Sequence, residues 1–310
     1  MSASHRAASV SRPTPFRAWW QATRPPTLSI AVVPVLVGLA LARRTGVSLD
    51  WIVALLTLAA AVLIQIGTNL YNDVGDFERG ADGVDRLGPP RAVSLGWLSP
   101  ADVRRAAATS FGVAMLLGAY LVSVGGWPIF LIGLGSVAAG IAYTGGPKPI
   151  AYSASGELFV LLFFGLIATC GTYYLQTGEL FAAAPAVAGV MVGAIASAVL
   201  VVNNYRDLDS DRRTNKVTLA VRMGREATRR EFAALVALPF LLLPVLAAVL
   251  GTRGTLLLPL AAVPLALVLV RRLAGTPIGP GLNDVLKGTA RLQLLFGVLL
   301  AIAIAFPTPG

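Results

Sequence analysis

The sequence predicts an all-α membrane protein whose helices cross the bilayer as a bundle. Of its 310 residues, 56% are hydrophobic and only 13% are charged, whereas about 25% are charged in ordinary soluble domains. The mean hydropathy of +0.74 also excludes a disordered chain, because such chains have low hydrophobicity. The apolar runs are rich in Leu, Ala and Val and lack the strict alternation of barrel strands, so they are predicted to be helices.

Nine apolar runs are predicted to span the membrane. Most are close to the ~20 residues that a helix needs to cross ~30 Å of hydrocarbon, and the first and eighth are the shortest. Gly, Ala and Ser recur within them, as close helix packing in lipid requires. The predicted spans are 27–42, 51–71, 105–124, 127–143, 157–175, 183–204, 231–250, 255–270 and 290–306.

Residues 1–18 precede the first span and are rich in Ser, Arg and Pro without periodicity. They are predicted to form a disordered cytoplasmic tail ahead of a single transmembrane domain, residues 19–310. Their composition could pass for a targeting segment, but no small-residue cleavage site follows the first apolar run. We therefore expect an uncleaved chain.

The distribution of basic residues predicts the orientation. With the N-terminus in the cytoplasm, only Arg43, Arg44 and Arg253 of the 25 Lys and Arg fall on the opposite side, which leaves 22 on the cytoplasmic side. Such a bias is typical of membrane proteins. We predict an integral protein of the bacterial inner membrane. The net charge of +10 then belongs to loops, so no nucleic-acid partner is expected.

The chain contains one Cys and one His, Cys170 and His5. This count excludes metal sites built from Cys or His ligands. Any bound metal must be held by oxygen, which favours Mg²⁺ or a similar hard cation.

The first acidic cluster lies at the cytoplasmic end of the second span. Asn69, Asn72, Asp73 and Asp76 are spaced i, i+3, i+4 and i+7. These positions share one face of a continuing helix. Two carboxylates and two amides there form an oxygen-rich surface suited to a divalent cation.

The second acidic cluster lies at the cytoplasmic end of the sixth span. Asn203, Asp207 and Asp211 are spaced i, i+4 and i+8, whereas Asp209 points elsewhere. Both clusters place an Asn on the last membrane turn and aspartates one turn apart. The repeated design predicts that the two helix ends act together.

Carboxylates at this depth are costly when unpaired, and facing clusters repel each other unless cations lie between them. Because Mg²⁺ binds through carboxylates together with substrate phosphates, the implied ligand is a phosphate or diphosphate bridged by Mg²⁺. The predicted catalytic residues are Asp73, Asp76, Asp207 and Asp211. The predicted metal ligands are Asn72, Asp73, Asp76, Asp82, Asp207 and Asp211.

Further polar residues are candidates for contacting a diphosphate or a second substrate, because Arg suits bidentate contacts and Lys supplies a point charge. Lys148 stands out as the basic residue of a short Gly-Pro loop. The alternative role of the basic residues is contact with lipid headgroups. The predicted set is Asn69, Asn72, Arg91, Tyr143, Lys148, Asn203, Arg206 and Lys216.

With these motifs the sequence resembles the UbiA superfamily of intramembrane aromatic prenyltransferases, from Trp20 to about Gly224. The superfamily motifs correspond to Asn72-Asp73-x-x-Asp76 and Asp207-x-x-x-Asp211. Gly80 stands where the wider family often has a third aspartate, and the next carboxylate is Asp82.

Within the superfamily, the sequence looks most similar to the branch that prenylates 1,4-dihydroxy-2-naphthoate in menaquinone synthesis. The segments that carry this similarity are Ala22-Thr-Arg-Pro25-Pro-Thr-Leu28, Asn69-Leu-Tyr-Asn-Asp73, Tyr143-Thr-Gly-Gly-Pro147, Gly156-Glu157-Leu-Phe, Gly171-Thr-Tyr-Tyr174, Asn203-Asn-Tyr-Arg-Asp-Leu-Asp-Ser-Asp211 and Lys216-Val-Thr-Leu-Ala-Val-Arg-Met-Gly224.

The resemblance implies nine helices around a central cavity, with a cytoplasmic cap from the loops between spans two and three and between spans six and seven. It implies Mg²⁺-dependent transfer of a polyprenyl group from polyprenyl diphosphate to an aromatic acceptor. In the naphthoate branch, attack at the carbon that bears the carboxylate releases CO₂ and gives demethylmenaquinone. The alternative acceptors are 4-hydroxybenzoate, homogentisate or a similar compound.

Aromatic faces such as Tyr71, Tyr143 or Tyr205 are candidates for stabilising the allylic cation, or else belong to an interfacial aromatic belt. Arg24 and Glu157 are candidates for orienting the carboxylate or hydroxyl of the acceptor.

The pattern disfavours two other protein classes. A phosphatidyltransferase concentrates its aspartates in one motif, whereas the two motifs here are about 130 residues apart. A secondary transporter places ionisable groups near the bilayer midplane, whereas the span interiors here are nearly free of charge. The pattern therefore favours a prenyl-transferring enzyme.

Overall fold

The computed structural model describes residues 12–80, 87–252 and 255–306, which form helices and loops without a strand. This confirms the predicted all-α class. The helices are α1 (Pro15–Ala22), α2 (Ser29–Arg44), α3 (Trp51–Glu78), α4 (Pro100–Ala142), α5 (Gly156–Thr177), α6 (Ala183–Arg213), α7 (Leu219–Leu250), α8 (Leu256–Gly275) and α9 (Leu282–Ala305).

Seven helices, α3 to α9, are long and apolar enough to cross a membrane. Helices α1 and α2 with the turn between them are bent by 48° and form an eighth candidate. The turn between them contains Arg24, whose φ of 54° lies in the left-handed region. The predicted protein class, an integral membrane protein, agrees with this count.

Helix α4 is a hairpin. Its backbone is non-helical at Gly126 (φ 67°, ψ −155°), between the predicted third and fourth spans. A side chain at Gly140 would lie 3.3 Å from the ring of Phe111, although a straight helix would separate the two residues by about 40 Å. The predicted count of nine spans treats the two arms of α4 as separate spans. The fold-back supports this count, which stays a prediction.

Several helices extend past the predicted spans by two or three turns. Helix α3 continues to Glu78, α6 continues to Arg213, α7 begins at Leu219 and α9 begins at Leu282. Hydropathy detects only the apolar part of a helix, whereas these charged extensions are helical except at Gly224 of α7, whose φ of 77° and ψ of 174° break the helix. Helix α1 also starts inside the predicted tail, and residues 1–11 of that tail lie outside the described residues.

Helix α6 is the central helix of the bundle, since it packs against α2, α5, α7 and α9 and buries most of its length. Glycines allow its close approach to α5. A side chain at Gly193 would lie 2.7 Å from the carbonyl oxygen of Leu161 and 2.9 Å from the Cα atom of Gly165. Small residues at such crossings are typical of helix packing in lipid.

The ends of α3 and α6 lie at the same end of the bundle as the starts of α5 and α9. Residues of the α3–α4 loop, such as Ala92 and Val93, pack with Leu70 and Val74 of α3 and with Ala22 of α1. This packing covers the end of α3 and positions the loop residues that face its polar side chains.

The close approach of α5 and α6 predicts that Gly193→Ala destabilises the fold. The added methyl group overpacks the contact, which should lower the free energy of unfolding by about 1–3 kcal/mol. Thermal unfolding of purified protein in detergent measures the change.

Gly112→Ala is the matched control, since Gly112 is an exposed helical position with open space around its Cα. Equal melting temperatures of the two variants would contradict the proposed packing constraint.

Candidate active site

The first acidic cluster is buried at the end of α3. Asn69, Asn72, Asp73 and Asp76 expose between 2% and 6% of their surface and lie on the one helix face that their spacing predicts. The Asn69 amide donates to the carbonyl oxygen of Thr23 at 3.0 Å. Both amides and both carboxylates therefore face protein and not solvent.

Arg91 neutralises this cluster. Its guanidinium donates to Asp76 Oδ2 at 2.7 Å and lies 3.8 Å from Asp73 Oδ1. The backbone N–H of Val93 also points at Asp73 Oδ2, at 3.4 Å. Because Arg91 and Val93 belong to the α3–α4 loop, this loop supplies the positive charge and a backbone donor that the aspartates need.

The second acidic cluster is buried at the end of α6, and each aspartate has a cationic partner. Arg206 Nε donates to Asp207 Oδ1 at 2.8 Å, and Lys216 Nζ lies 3.5 Å from Asp211 Oδ1. Asp209 lies on the outer face of the helix and pairs with Arg225 at 2.6 Å. The face assigned to each aspartate from the helical spacing agrees with this arrangement.

Arg206 is almost fully buried, with 1% of its surface exposed. Besides Asp207, it donates to Asn203 Oδ1 at 2.8 Å and to Asn283 Oδ1 at 2.7 Å. The Asn283 amide in turn donates to the carbonyl oxygen of Leu87 at 3.1 Å. These bonds connect α6, α9 and the α3–α4 loop.

A second connection joins the two clusters through Tyr152, in the loop between α4 and α5. Its hydroxyl donates to Asp76 Oδ1 at 3.3 Å, and the ammonium group of Lys216 lies 5.6 Å from the centre of its ring. Asp211 also feels the negative charges of Asp207 and Asp76. The two helix ends therefore converge, as the repeated motif predicts.

Residues from both ends line one cavity of about 170 Å³, which we call the polar cavity. Seven of the predicted site residues line it. The buried Asp73 and Asp211 pair with the lining residues Arg91 and Lys216, and Arg206 joins Asp207 to the lining residue Asn203. The seven lining residues are Asn69, Asn72, Asp76, Arg91, Tyr143, Asn203 and Lys216.

Not every predicted residue that the structure describes is brought to the polar cavity. Lys148 is exposed and does not line it. Asp82 lies outside the described residues. Among the aromatic candidates, Tyr143 lines the cavity, whereas Tyr205 is fully buried between the guanidinium groups of Arg225 and Arg229.

A second cavity, of about 500 Å³, lies between α2, α3, α4 and α5 and is lined mainly by apolar side chains; we call it the apolar cavity. Met115, Phe130 and Leu134 line it and are more than half exposed, so it opens toward the outer surface of the bundle. It adjoins the polar cavity, because the two share the wall residues Thr68, Tyr143, Val160 and Phe164.

The donor set of the polar cavity fits a hard divalent cation. It offers carboxylate and amide oxygens, and the buried Asp211 Oδ2 accepts no hydrogen bond within the described part of the chain. Across the same residues, no three His, Cys, Asp or Glu side chains are grouped closely enough to hold a metal alone. This arrangement suits Mg²⁺, which commonly takes one or two carboxylates and completes its shell with substrate phosphates and water.

Some residues at the site were not singled out from the sequence. Asn204 lines the cavity, and its amide donates to Glu157 Oε1 at 2.7 Å. It precedes Asp207 by three residues and Asp211 by seven, so its helical spacing could have identified it. Thr144, whose hydroxyl donates to Asn72 Oδ1 at 2.8 Å, lies in a loop whose folded position no local pattern gives.

The chain was compared with known proteins. Residues 31–276 match the UbiA prenyltransferase family. A 1,4-dihydroxy-2-naphthoate octaprenyltransferase from Mycobacterium tuberculosis is 38% identical, over 94% of this chain and 98% of that protein. The enzymes of the same name from Escherichia coli (37% identical, 92% and 96% covered) and Bacillus subtilis (32%, 92% and 91%) are also similar.

Solved structures share the fold. A UbiA homolog from Archaeoglobus fulgidus bound to GPP and Mg²⁺ gives a TM-score of 0.67 at 16% identity, covering 93% of this chain and 100% of that one. A UbiA homolog from Aeropyrum pernix gives a TM-score of 0.64 at 15% identity, with 89% and 96% covered.

Proposed function

Because this chain belongs to the UbiA prenyltransferase family, we propose that it transfers a polyprenyl group from polyprenyl diphosphate to 1,4-dihydroxy-2-naphthoate. That the chain is a membrane-embedded prenyltransferase follows from the family. The acceptor, the metal dependence and the roles of residues are proposals. The observation that carries them is the junction of an acid-lined polar cavity with a large apolar cavity.

The polar cavity is proposed to bind the diphosphate. Arg91 and Lys216 line it, and in this structure they pair with aspartates. When a diphosphate binds, the same two cations are placed to contact its phosphate oxygens. Asn69 and Asn203 line the same wall, and Arg206 fixes Asn203 and Asp207 by hydrogen bonds. Lys148 is exposed and lies outside this proposed set.

Asn72, Asp73, Asp76, Asp207 and Asp211 are proposed to hold Mg²⁺ together with the diphosphate. When bound, Mg²⁺ would neutralise the negative charge that grows on the leaving diphosphate. The convergence of two clusters supports a ligand of high negative charge bridged by cations, since the clusters otherwise repel each other.

The apolar cavity is proposed to bind the first part of the polyprenyl tail. Its opening between exposed apolar side chains would let a longer tail extend into the hydrocarbon of the bilayer. The C1 atom, which joins tail and diphosphate, must then lie where the two cavities meet. Tyr143 is part of that wall and offers an aromatic face to the positive charge that develops at C1.

The loops over the polar cavity have a chemical task in this proposal. An allylic cation is captured by water, so the reaction requires a site from which water is largely excluded. The α3–α4 loop, held by Arg91 to Asp76 and by Leu87 to Asn283, closes over the cavity. These contacts support a cap from this loop and from the α6–α7 loop that carries Lys216.

The acceptor is proposed from the relatives, whose names specify 1,4-dihydroxy-2-naphthoate. Attack by the ring carbon that bears the carboxylate would break the C1–diphosphate bond, release CO₂ and give the prenylated dihydroxynaphthalene, which is the reduced form of demethylmenaquinone. The bias of basic residues supports an active site on the cytoplasmic side of a bacterial inner membrane.

We predict that Asp76→Asn and Asp207→Asn each lower product formation in membranes by at least about 100-fold, because each removes a carboxylate proposed to hold the Mg²⁺ that would stabilise the leaving diphosphate. Labelled product extracted from the membranes is measured, with protein amount checked by immunoblot.

Asp209→Asn is the control, since Asp209 pairs on the outer face of α6 with Arg225. Turnover at the wild-type rate by both cavity variants would refute the proposed catalytic aspartates.

Chelation gives an independent test of the metal. EDTA should abolish product formation by the wild-type enzyme, and added Mg²⁺ should restore it. Activity that persists after exhaustive chelation and dialysis would contradict Mg²⁺ dependence.

The acceptor is tested by incubating purified protein with geranylgeranyl diphosphate, Mg²⁺ and a panel of aromatic acids. We expect prenylated product and an equal amount of CO₂ from 1,4-dihydroxy-2-naphthoate, both quantified by mass spectrometry. Transfer to 4-hydroxybenzoate without CO₂ release, and none to the naphthoate, would show that the proposed acceptor is wrong.

A further inference from the structure

Gln65 lines the polar cavity but has no role in the proposed diphosphate site. It lies on α3 one turn before Asn69, farther from the polar end of the bundle, and only 7% of its surface is exposed. Its Oε1 atom accepts no hydrogen bond from any residue that the structure describes. An intramembrane polar group without a partner is costly, and at a cavity wall a bound ligand can supply the missing donor.

A second buried glutamine shows why the position of Gln65 matters. Gln293 on α9 is fully buried, and neither its Oε1 nor its Nε2 has a hydrogen-bond partner in the described ranges. Gln293 lines neither the polar nor the apolar cavity. Of these two amides, Gln65 is therefore the one that a substrate in the cavity can reach.

The reaction geometry brings the acceptor to the same place. The prenyl C1 atom lies where the two cavities meet, and the attacking ring carbon must come within about 3–3.5 Å of it. Thr68 belongs to the shared wall and follows Gln65 by three residues, which puts both on one face of α3. The acceptor ring must then lie beside Gln65.

We propose that Gln65 hydrogen-bonds a ring hydroxyl of the acceptor and is a specificity-determining residue. This inference rests on the proposed function. The unpartnered atom of Gln65 is Oε1, which is a hydrogen-bond acceptor, so the ring hydroxyl of the substrate donates to it. Val160 and Phe164, on the opposite wall, offer apolar surface to the ring. An acceptor without that hydroxyl leaves the amide unpaired, which is how a buried polar site rejects it.

The test combines variants with acceptor analogues. Gln65→Met keeps the length of the side chain and removes its hydrogen-bonding groups, and Gln293→Met is the same change at an amide outside both cavities. Each protein is assayed with 1,4-dihydroxy-2-naphthoate and with its two mono-methyl ethers. The KM for geranylgeranyl diphosphate is measured separately.

We expect Gln65→Met to lower kcat/KM for the dihydroxy acceptor roughly tenfold, the loss expected for one hydrogen bond. The KM for geranylgeranyl diphosphate should stay unchanged. The mono-ether that blocks the hydroxyl bonded by Gln65 should react roughly tenfold more slowly with the wild type. It should show no further loss with Gln65→Met, because the hydrogen bond is already absent. The other ether should keep the full dependence on Gln65, and Gln293→Met should behave as the wild type.

An equal loss with the dihydroxy acceptor and both ethers, or an increased KM for the diphosphate, would overturn the inference. If Gln65→Met is not recovered from membranes, the wild-type enzyme still tests the inference, because equal turnover of the diol and both ethers overturns it without any variant. Absence of wild-type product from the naphthoate overturns the proposed acceptor instead. The same comparison with 4-hydroxybenzoate and its methyl ether then tests Gln65.

Discussion

The structure depends on how negative charge is accommodated at the ends of two membrane helices. Asp73 and Asp76 on α3 and Asp207 and Asp211 on α6 are buried beside a single cavity. Removing charged carboxylates from water carries a large penalty unless cations and hydrogen bonds compensate for it. Among the described residues, Arg91 and Lys216 from loops and Arg206 from α6 itself pair with these aspartates.

This requirement explains the arrangement of the loops. Arg91 can reach the aspartates of α3 only if the α3–α4 loop folds back over the helix end, and packing of Ala92 and Val93 against α1 and α3 holds it there. Asn283 fixes the same loop to Arg206. Ion pairing, hydrogen bonding and apolar packing therefore all close the same end of the bundle.

The pairing of buried aspartates with cations also suits the proposed reaction. The cations that neutralise the aspartates are the groups that a diphosphate needs, so ligand binding would exchange partners among charges that are already buried. The adjoining apolar cavity provides the opposite environment a few side chains away. A substrate with a charged head and a hydrocarbon tail requires this juxtaposition, and so does the exclusion of water from an allylic cation.

The sequence by itself determined the helical class, the position of most spans, the break near Gly126 and the acidic faces of α3 and α6, with Asp209 pointing away. These features follow from local periodicity and composition, which act through residues three to eight positions apart. The tertiary structure alone decided that Tyr152, from a loop, meets Asp76 and that Asn283 of α9 meets Arg206. It also decided that Lys148 stays exposed and that Gln65 lines the cavity whereas Gln293 does not. Those contacts join residues from distant parts of the chain, and their geometry is set by how the helices pack, which local sequence patterns do not encode.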